Sequence, residues 1–124
     1  MAVHLELAEN LPRVMGDHVQ LQQVMMNLIL NGIEAMRDAP GELNITSQLT
    51  EDGQVLISVR DTGIGIPPGK ADKIFDAFFT TKPQGTGMGL AISRSIIESH
   101  GGRVWATSNS GRGATLHFGL PYTV

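Results

Sequence analysis

The sequence predicts an α/β domain of the α+β kind: an antiparallel or mixed sheet with helices packed on one face. Two pairs of strand-like runs are joined by short turn signals. "ELNITSQLT" and "QVLISVRD" flank "EDG", and "RVWATSN" and "ATLHFGLP" flank "SGRG". Apolar residues recur at helical spacing from His18 to about Asp38, and again through "MGLAISRSIIESH". Strands paired through hairpins, without regular alternation with helices, argue against a doubly wound sheet.

The elements run strand, helix, two strands, two helices, two strands. "VHLELAE" alternates apolar and polar residues as an edge strand does. Asp17 is the expected N-cap of the long helix, because its carboxylate can accept from the free N–H groups of the first turn. "APG" stops that helix. Leu21, Val24, Met25, Leu28, Ala35 and Met36 form its core stripe, widened by Ile29 and Ile33. A loop is expected from Thr62 to Gly69 and a short helix from Ala71 to Phe78. "TTKPQGTG" reads as a loop, and the helix after it is capped by Gly101 and Gly102.

A chain of 124 residues suffices for one compact domain and not for two ordinary ones, so residues 1–124 are read as a single domain. Net charge of -3 and a pI near 5.7 argue against nucleic acid as the main partner, since phosphate backbones call for clustered Lys and Arg. The absence of cysteine excludes disulfides and thiolate metal sites. The longest apolar region, "VMMNLILNGIEAM", is broken by two asparagines and cannot span a bilayer. The opening "MAVHLELAEN" lacks the basic start and apolar stretch of a signal peptide. A cytoplasmic domain without membrane contact is expected, cut from something longer.

Three features carry chemistry. A second stripe on the long helix is polar: Gln20, Gln23, Asn27, Asn31, Glu34 and Asp38. A solvated face normally carries Lys, Glu and Arg; asparagines one turn apart are poor helix formers and point to a task. An amide oxygen is a hard neutral ligand suited to magnesium, which takes its other ligands from water and phosphates. "QGTGMGLAIS" sets Gly85, Gly87 and Gly89 before a helix, where backbone N–H groups can close on an anion. By itself this reads equally well as a flexible turn, and it is neither a P-loop nor a dinucleotide fingerprint. Asp61 ends an apolar strand in "RDTGIGIPP". It reads either as a turn or capping residue or as a base selector. A carboxylate accepts from the exocyclic amine of adenine and meets a carbonyl in guanine. Gly63 and Gly65 would let the backbone pass beside a flat ring.

"NLILN" on a helix, "DTGIGI" after a strand, "IFDAFFTTK" and "GTGMGL" before a helix form an ordered set. The chain resembles the ATP-binding catalytic domain of sensor histidine kinases, within the GHKL ATPase superfamily. "NGIEAM" and "FFTTKPQGTGMGLAIS" look most like kinases of the nitrogen-regulation and oxygen-sensing type, and the resemblance covers residues 17 to 121. It implies a two-layer α/β sandwich of the Bergerat type, with ATP between the helical layer and the loops. By position, Asn31 would bind magnesium and Asn27 would lie near the phosphates or their waters. Asp61 would contact the adenine amine, with Gly63, Gly65 and Ile66 around it. Lys82 would reach the terminal phosphates. Gly85, Gly87 and Gly89 would cradle the phosphates, with Thr86, Met88 and Leu90 in the same loop. Thr115 would support the adenine end through a hydroxyl or a water. Phe75, Phe78 and Phe79 look like the aromatics that anchor the lid, although core packing explains them as well.

In the family, the γ-phosphoryl group of ATP moves to a histidine on a separate helical-hairpin domain, and next to an aspartate on a response regulator. None of the four histidines here, His4, His18, His100 and His117, sits in such a hairpin. The chain is therefore expected to bind Mg-ATP, to transfer phosphate poorly or not at all alone, and to be a monomer. The alternatives are a stand-alone kinase of the anti-sigma-factor type and a non-catalytic nucleotide-sensing module.

Overall fold

The computed structural model describes residues 2–8, 14, 16–36, 41–66, 69–76, 89–109 and 112–122. Among these the elements are β1 (Ala2–Leu7), α1 (His18–Ala35), β2 (Glu42–Leu49), β3 (Gln54–Asp61), α2 (Gly89–Ser99), β4 (Arg103–Ser108) and β5 (Ala114–Pro121). The strands form one sheet in the order β1-β2-β3-β5-β4. β1 runs parallel to β2, and the other pairs are antiparallel. The two expected hairpins are β2–β3, turning with Gly53 at φ +82°, and β4–β5.

Period-two burial puts alternate strand residues on the helix side. Leu43, Ile45, Val59, Leu116, Phe118 and Leu120 meet Val24 and Leu28 of α1 and Ile96 and Ile97 of α2. The predicted core stripe of α1 holds at Val24 and Leu28, and Met36 is buried just past the helix end, while Ile33 is 38% exposed. Gly32 also faces the sheet, and a side chain there would meet Leu43 at 2.7 Å. β1 is the edge strand expected, and its Val3, Leu5 and Leu7 stay exposed.

Two polar ties set the antiparallel helices against each other. At one end Asp17 accepts from Gln20 N–H at 3.0 Å as the N-cap, while its own N–H donates to His100 Nε2 at 2.9 Å. His100 Nδ1 lies 2.7 Å from the Ile96 carbonyl and donates to it, so the ring is fixed in one tautomer. At the other end Asn27 reaches the first turn of α2. His100→Ala would leave the Asp17 N–H without its acceptor and open the packing where His100 touches Gly16. Because that N–H is exposed, water can replace the acceptor, and the expected loss is about 0.5–1.5 kcal/mol, read as a lower urea midpoint. An unchanged midpoint would show that the tie carries no stability.

Two expectations change. The segment expected as a helix from Ala71 to Phe78 forms tight turns over residues 71–76. Lys73 N–H bonds the Lys70 carbonyl and Asp76 N–H bonds the Lys73 carbonyl, both at 2.9 Å and three residues apart. These turns draw the adjacent Ile74 and Phe75 into the core together. Ala77 and Phe78 lie outside the described residues. The long helix ends at Ala35, not near Asp38: Met36 turns back with its N–H on the Ile33 carbonyl at 3.1 Å, and its side chain is buried.

Candidate functional site

β3 places Asp61. Val55 and Val59 are buried on the helix side, and the same register turns the carboxylate of Asp61 inward at 2% exposure. An acidic group thus occupies a core-facing position at the end of a strand. Its Oδ1 accepts from Gly63 N–H at 2.9 Å and Ala114 N–H at 3.3 Å. Among the described residues Oδ2 has no donor. Burial raises the carboxyl above its ordinary pKa, and the two backbone N–H groups oppose that rise without cancelling it.

The glycines after Asp61 dock the loop on α1. The last turn of a helix leaves carbonyls without partners, and Ile64 N–H takes that of Ala35 at 3.0 Å. A side chain on Gly63 would stand 2.2 Å from the same carbonyl oxygen. The room Gly63 leaves is therefore filled by α1 and not by a pocket. Gly65, at φ +80°, needs a glycine's backbone freedom and lies against Gly113.

The turn between β4 and β5 closes on Asp61 from the other side. Asn109 Nδ2 donates to the Asp61 carbonyl at 2.8 Å and to the Arg112 carbonyl at 3.1 Å. Its Oδ1 accepts from the Thr115 hydroxyl at 2.7 Å. Thr115 pairs with Arg60, so it lies on the sheet face opposite the Asp61 carboxylate, while Ala114 lies on the carboxylate's face. The hydroxyl thus reaches Asp61 only through Asn109.

On α1, Asn27 spends its amide N–H groups on α2. It donates to the Gly89 carbonyl at 3.0 Å and to Ser93 Oγ at 3.1 Å, and Ser93 is fully buried. Asn31, half-buried one turn on, makes no side-chain hydrogen bond among the described residues. Asn27 thus stands beside the start of α2, and Asn31 lies one turn on along α1; an amide oxygen is a hard neutral donor of the kind a magnesium ion takes. Phe75 is a core residue at 3% exposure, and Ile66 and Leu90 are half-buried against that core. Phe78, Phe79, Lys82, Gly85, Thr86, Gly87 and Met88 lie outside the described residues. Asn109, Gly113 and Ser93 were missed in the sequence. Only the spacing "NSGRG", an amide before a glycine turn, hinted at the first two.

The family described as histidine kinase-, DNA gyrase B-, and HSP90-like ATPase matches residues 16–124. The sensor protein FixL of Bradyrhizobium diazoefficiens is 49% identical over 109 residues, covering 87% of this chain and 22% of FixL. The catalytic domain of histidine kinase ThkA superposes with a TM-score of 0.84 at 40% identity, covering 98% of this chain and 79% of that one. ThkA has also been solved in complex with response regulator protein TrrA. Full-length ShkA in complex with AMPPNP superposes with a TM-score of 0.86 at 30% identity, covering 99% of this chain and 26% of that one. The chain spans less than a quarter of the length of the curated relatives it matches. Among the described residues no helix is long and apolar enough to cross a membrane.

Proposed function

Because the chain belongs to the histidine kinase-, DNA gyrase B-, and HSP90-like ATPase family, as a histidine kinase catalytic domain, we propose that it binds Mg-ATP and supplies the γ-phosphoryl group to a histidine on a separate helical-hairpin domain of the same kinase. A response regulator aspartate would receive the group next. The single observation that carries this reading is the buried Asp61 carboxylate, held through Oδ1 with Oδ2 left to accept from an adenine amine.

Asn31 would hold the magnesium ion, with the Asn27 oxygen beside it. The ion would neutralise phosphate charge. Asn27 acts chiefly by fixing the start of α2, where the glycine loop enters. Lys82 would reach the terminal phosphates, and Gly85, Gly87 and Gly89 would offer N–H groups to them; these roles rest on the sequence pattern. The work is positioning and charge neutralisation, with no covalent step on this chain.

The four histidines favour an acceptor elsewhere. His100 and His117 are bonded at both ring nitrogens, His117 to Ser58 at 2.8 Å and Thr107 at 3.1 Å. His18 bonds Gln22 at 3.0 Å, and His4 lies 3.8 Å from Glu42. The isolated chain is proposed to be monomeric and nearly inactive in transfer.

The test is calorimetric titration with a non-hydrolysable ATP analogue, with and without magnesium. Magnesium-assisted binding that loses its magnesium dependence in Asn31→Ala is expected. No binding under either condition refutes the reading. Acid-stable phosphate on a partner protein would point to a kinase of the anti-sigma-factor type instead.

A further inference from the structure

We propose that Asn109 is a positioning residue that sets the purine selectivity of the Asp61 site, a proposal that rests on Asp61 being the adenine acceptor. The β3–β5 register stops at Arg60 opposite Thr115. The Asp61 carbonyl therefore lies one position past the ladder, where no strand partner remains on that side. A buried carbonyl needs a donor, and the Asn109 amide supplies it at 2.8 Å.

The same amide is fully committed. One donor serves Asp61, the other Arg112, and the oxygen accepts from Thr115. An amide can be read with its oxygen and nitrogen exchanged, but the Asp61 and Arg112 carbonyls can only accept, which puts the nitrogen on their side and leaves the oxygen to the Thr115 hydroxyl. Thr115 thereby locks Asn109, and Asn109 locks the peptide plane that follows Asp61.

That plane matters to the carboxylate. The residue whose carbonyl Asn109 holds is the one whose Oδ1 is held by Ala114 N–H, from the far end of the same turn. Asn109 and Ala114 thus hold Asp61 by main chain and side chain respectively. Gly113 is close enough that a side chain on it would lie 2.1 Å from the Asp61 carbonyl oxygen. Selection between an amine and a carbonyl on a flat ring depends on where Oδ2 points, and misplacement by a fraction of an ångström removes it. Asn109 reaches no ligand itself; it acts through Asp61.

The experiment compares non-hydrolysable ATP and GTP analogues, by competition, on the 124-residue chain and its variants. Asn109→Ala is expected to weaken the ATP analogue by on the order of tenfold and the GTP analogue little, so that the adenine preference narrows. Thr115→Val removes only the hydroxyl that orients the amide and should shift the ratio the same way by less. A merely structural role would reduce the competent fraction for both analogues alike and leave the ratio unchanged; that result overturns the proposal. If Asn109→Ala does not fold, Thr115→Val decides, and an unchanged ratio there also overturns it. Asp61→Asn, run alongside, separates the two levels. If it too leaves the ratio unchanged, the adenine reading has failed and the positioning role with it. If Asp61→Asn erases the preference while Asn109→Ala and Thr115→Val keep it, only the positioning role is lost.

Discussion

Asp61→Asn is expected to weaken adenine-nucleotide binding by on the order of a hundredfold or more, while the fold becomes no less stable. The two effects part because the two carboxylate oxygens do different work. Oδ1 takes the N–H groups of Gly63 and Ala114, and an amide oxygen can take both as well. Oδ2 would become an NH2 group, which meets the adenine amine donor to donor. Burial makes the ionised carboxylate unfavourable and raises its pKa. A carboxyl with a raised folded-state pKa binds more protons folded than unfolded, so stability falls as pH rises from the ordinary aspartate range through the folded value. A neutral amide removes that penalty, and at neutral pH the variant should melt at or above the wild-type temperature. Binding of the ATP analogue to the wild type should weaken as pH falls, beginning above the ordinary aspartate range, because the protonated carboxyl no longer offers both oxygens as acceptors. Affinity that stays level down to that range, or a variant that binds as well as the wild type, would remove Asp61 from the base-recognising role.

The strands and helices were legible because each carried its own period. The core-facing positions of β3 and β5 alternate, and α1 follows its stripe through Val24 and Leu28. Asp61 was legible as a charge that broke an apolar register. What Asn27 does was not legible, because its partners Gly89 and Ser93 stand 62 and 66 residues away and depend on how α2 lies across α1. Thr115 was placed near the adenine end by position, whereas the strand register turns it to the other face. Asn109 looked like any polar residue before a glycine turn until the end of the β3–β5 ladder left a carbonyl for it to serve. The segment from Ala71 to Phe78 misled because local spacing favoured a helix, while burial of the neighbours Ile74 and Phe75 is met by tighter turns. Local periodicity is written into consecutive residues; contacts made across the sheet are not.

Gly113→Ala should be the most disruptive single methyl in the described structure around the site, and Gly101→Ala gives its control. Both glycines hold positive φ, +90° at Gly113 and +80° at Gly101. A side chain in that region costs about 1–2 kcal/mol for the backbone alone. At Gly101 the added carbon meets only Pro121 at 3.6 Å, an ordinary contact, so Gly101→Ala should show little beyond that term. At Gly113 it would lie 2.1 Å from the Asp61 carbonyl oxygen and 2.8 Å from Asp61 Oδ1. Neither neighbour is a free side-chain end: the carbonyl is held by Asn109 and Oδ1 by two backbone N–H groups. Forcing them apart adds roughly 1–3 kcal/mol, and the turn must withdraw from the carboxylate. Gly113→Ala should therefore lower the denaturant midpoint by about twice as much as Gly101→Ala or more, and should lose ATP-analogue binding under conditions where it remains folded. Equal losses at the two glycines would show that φ alone is responsible and that the β4–β5 turn can move away from Asp61 without consequence for the site.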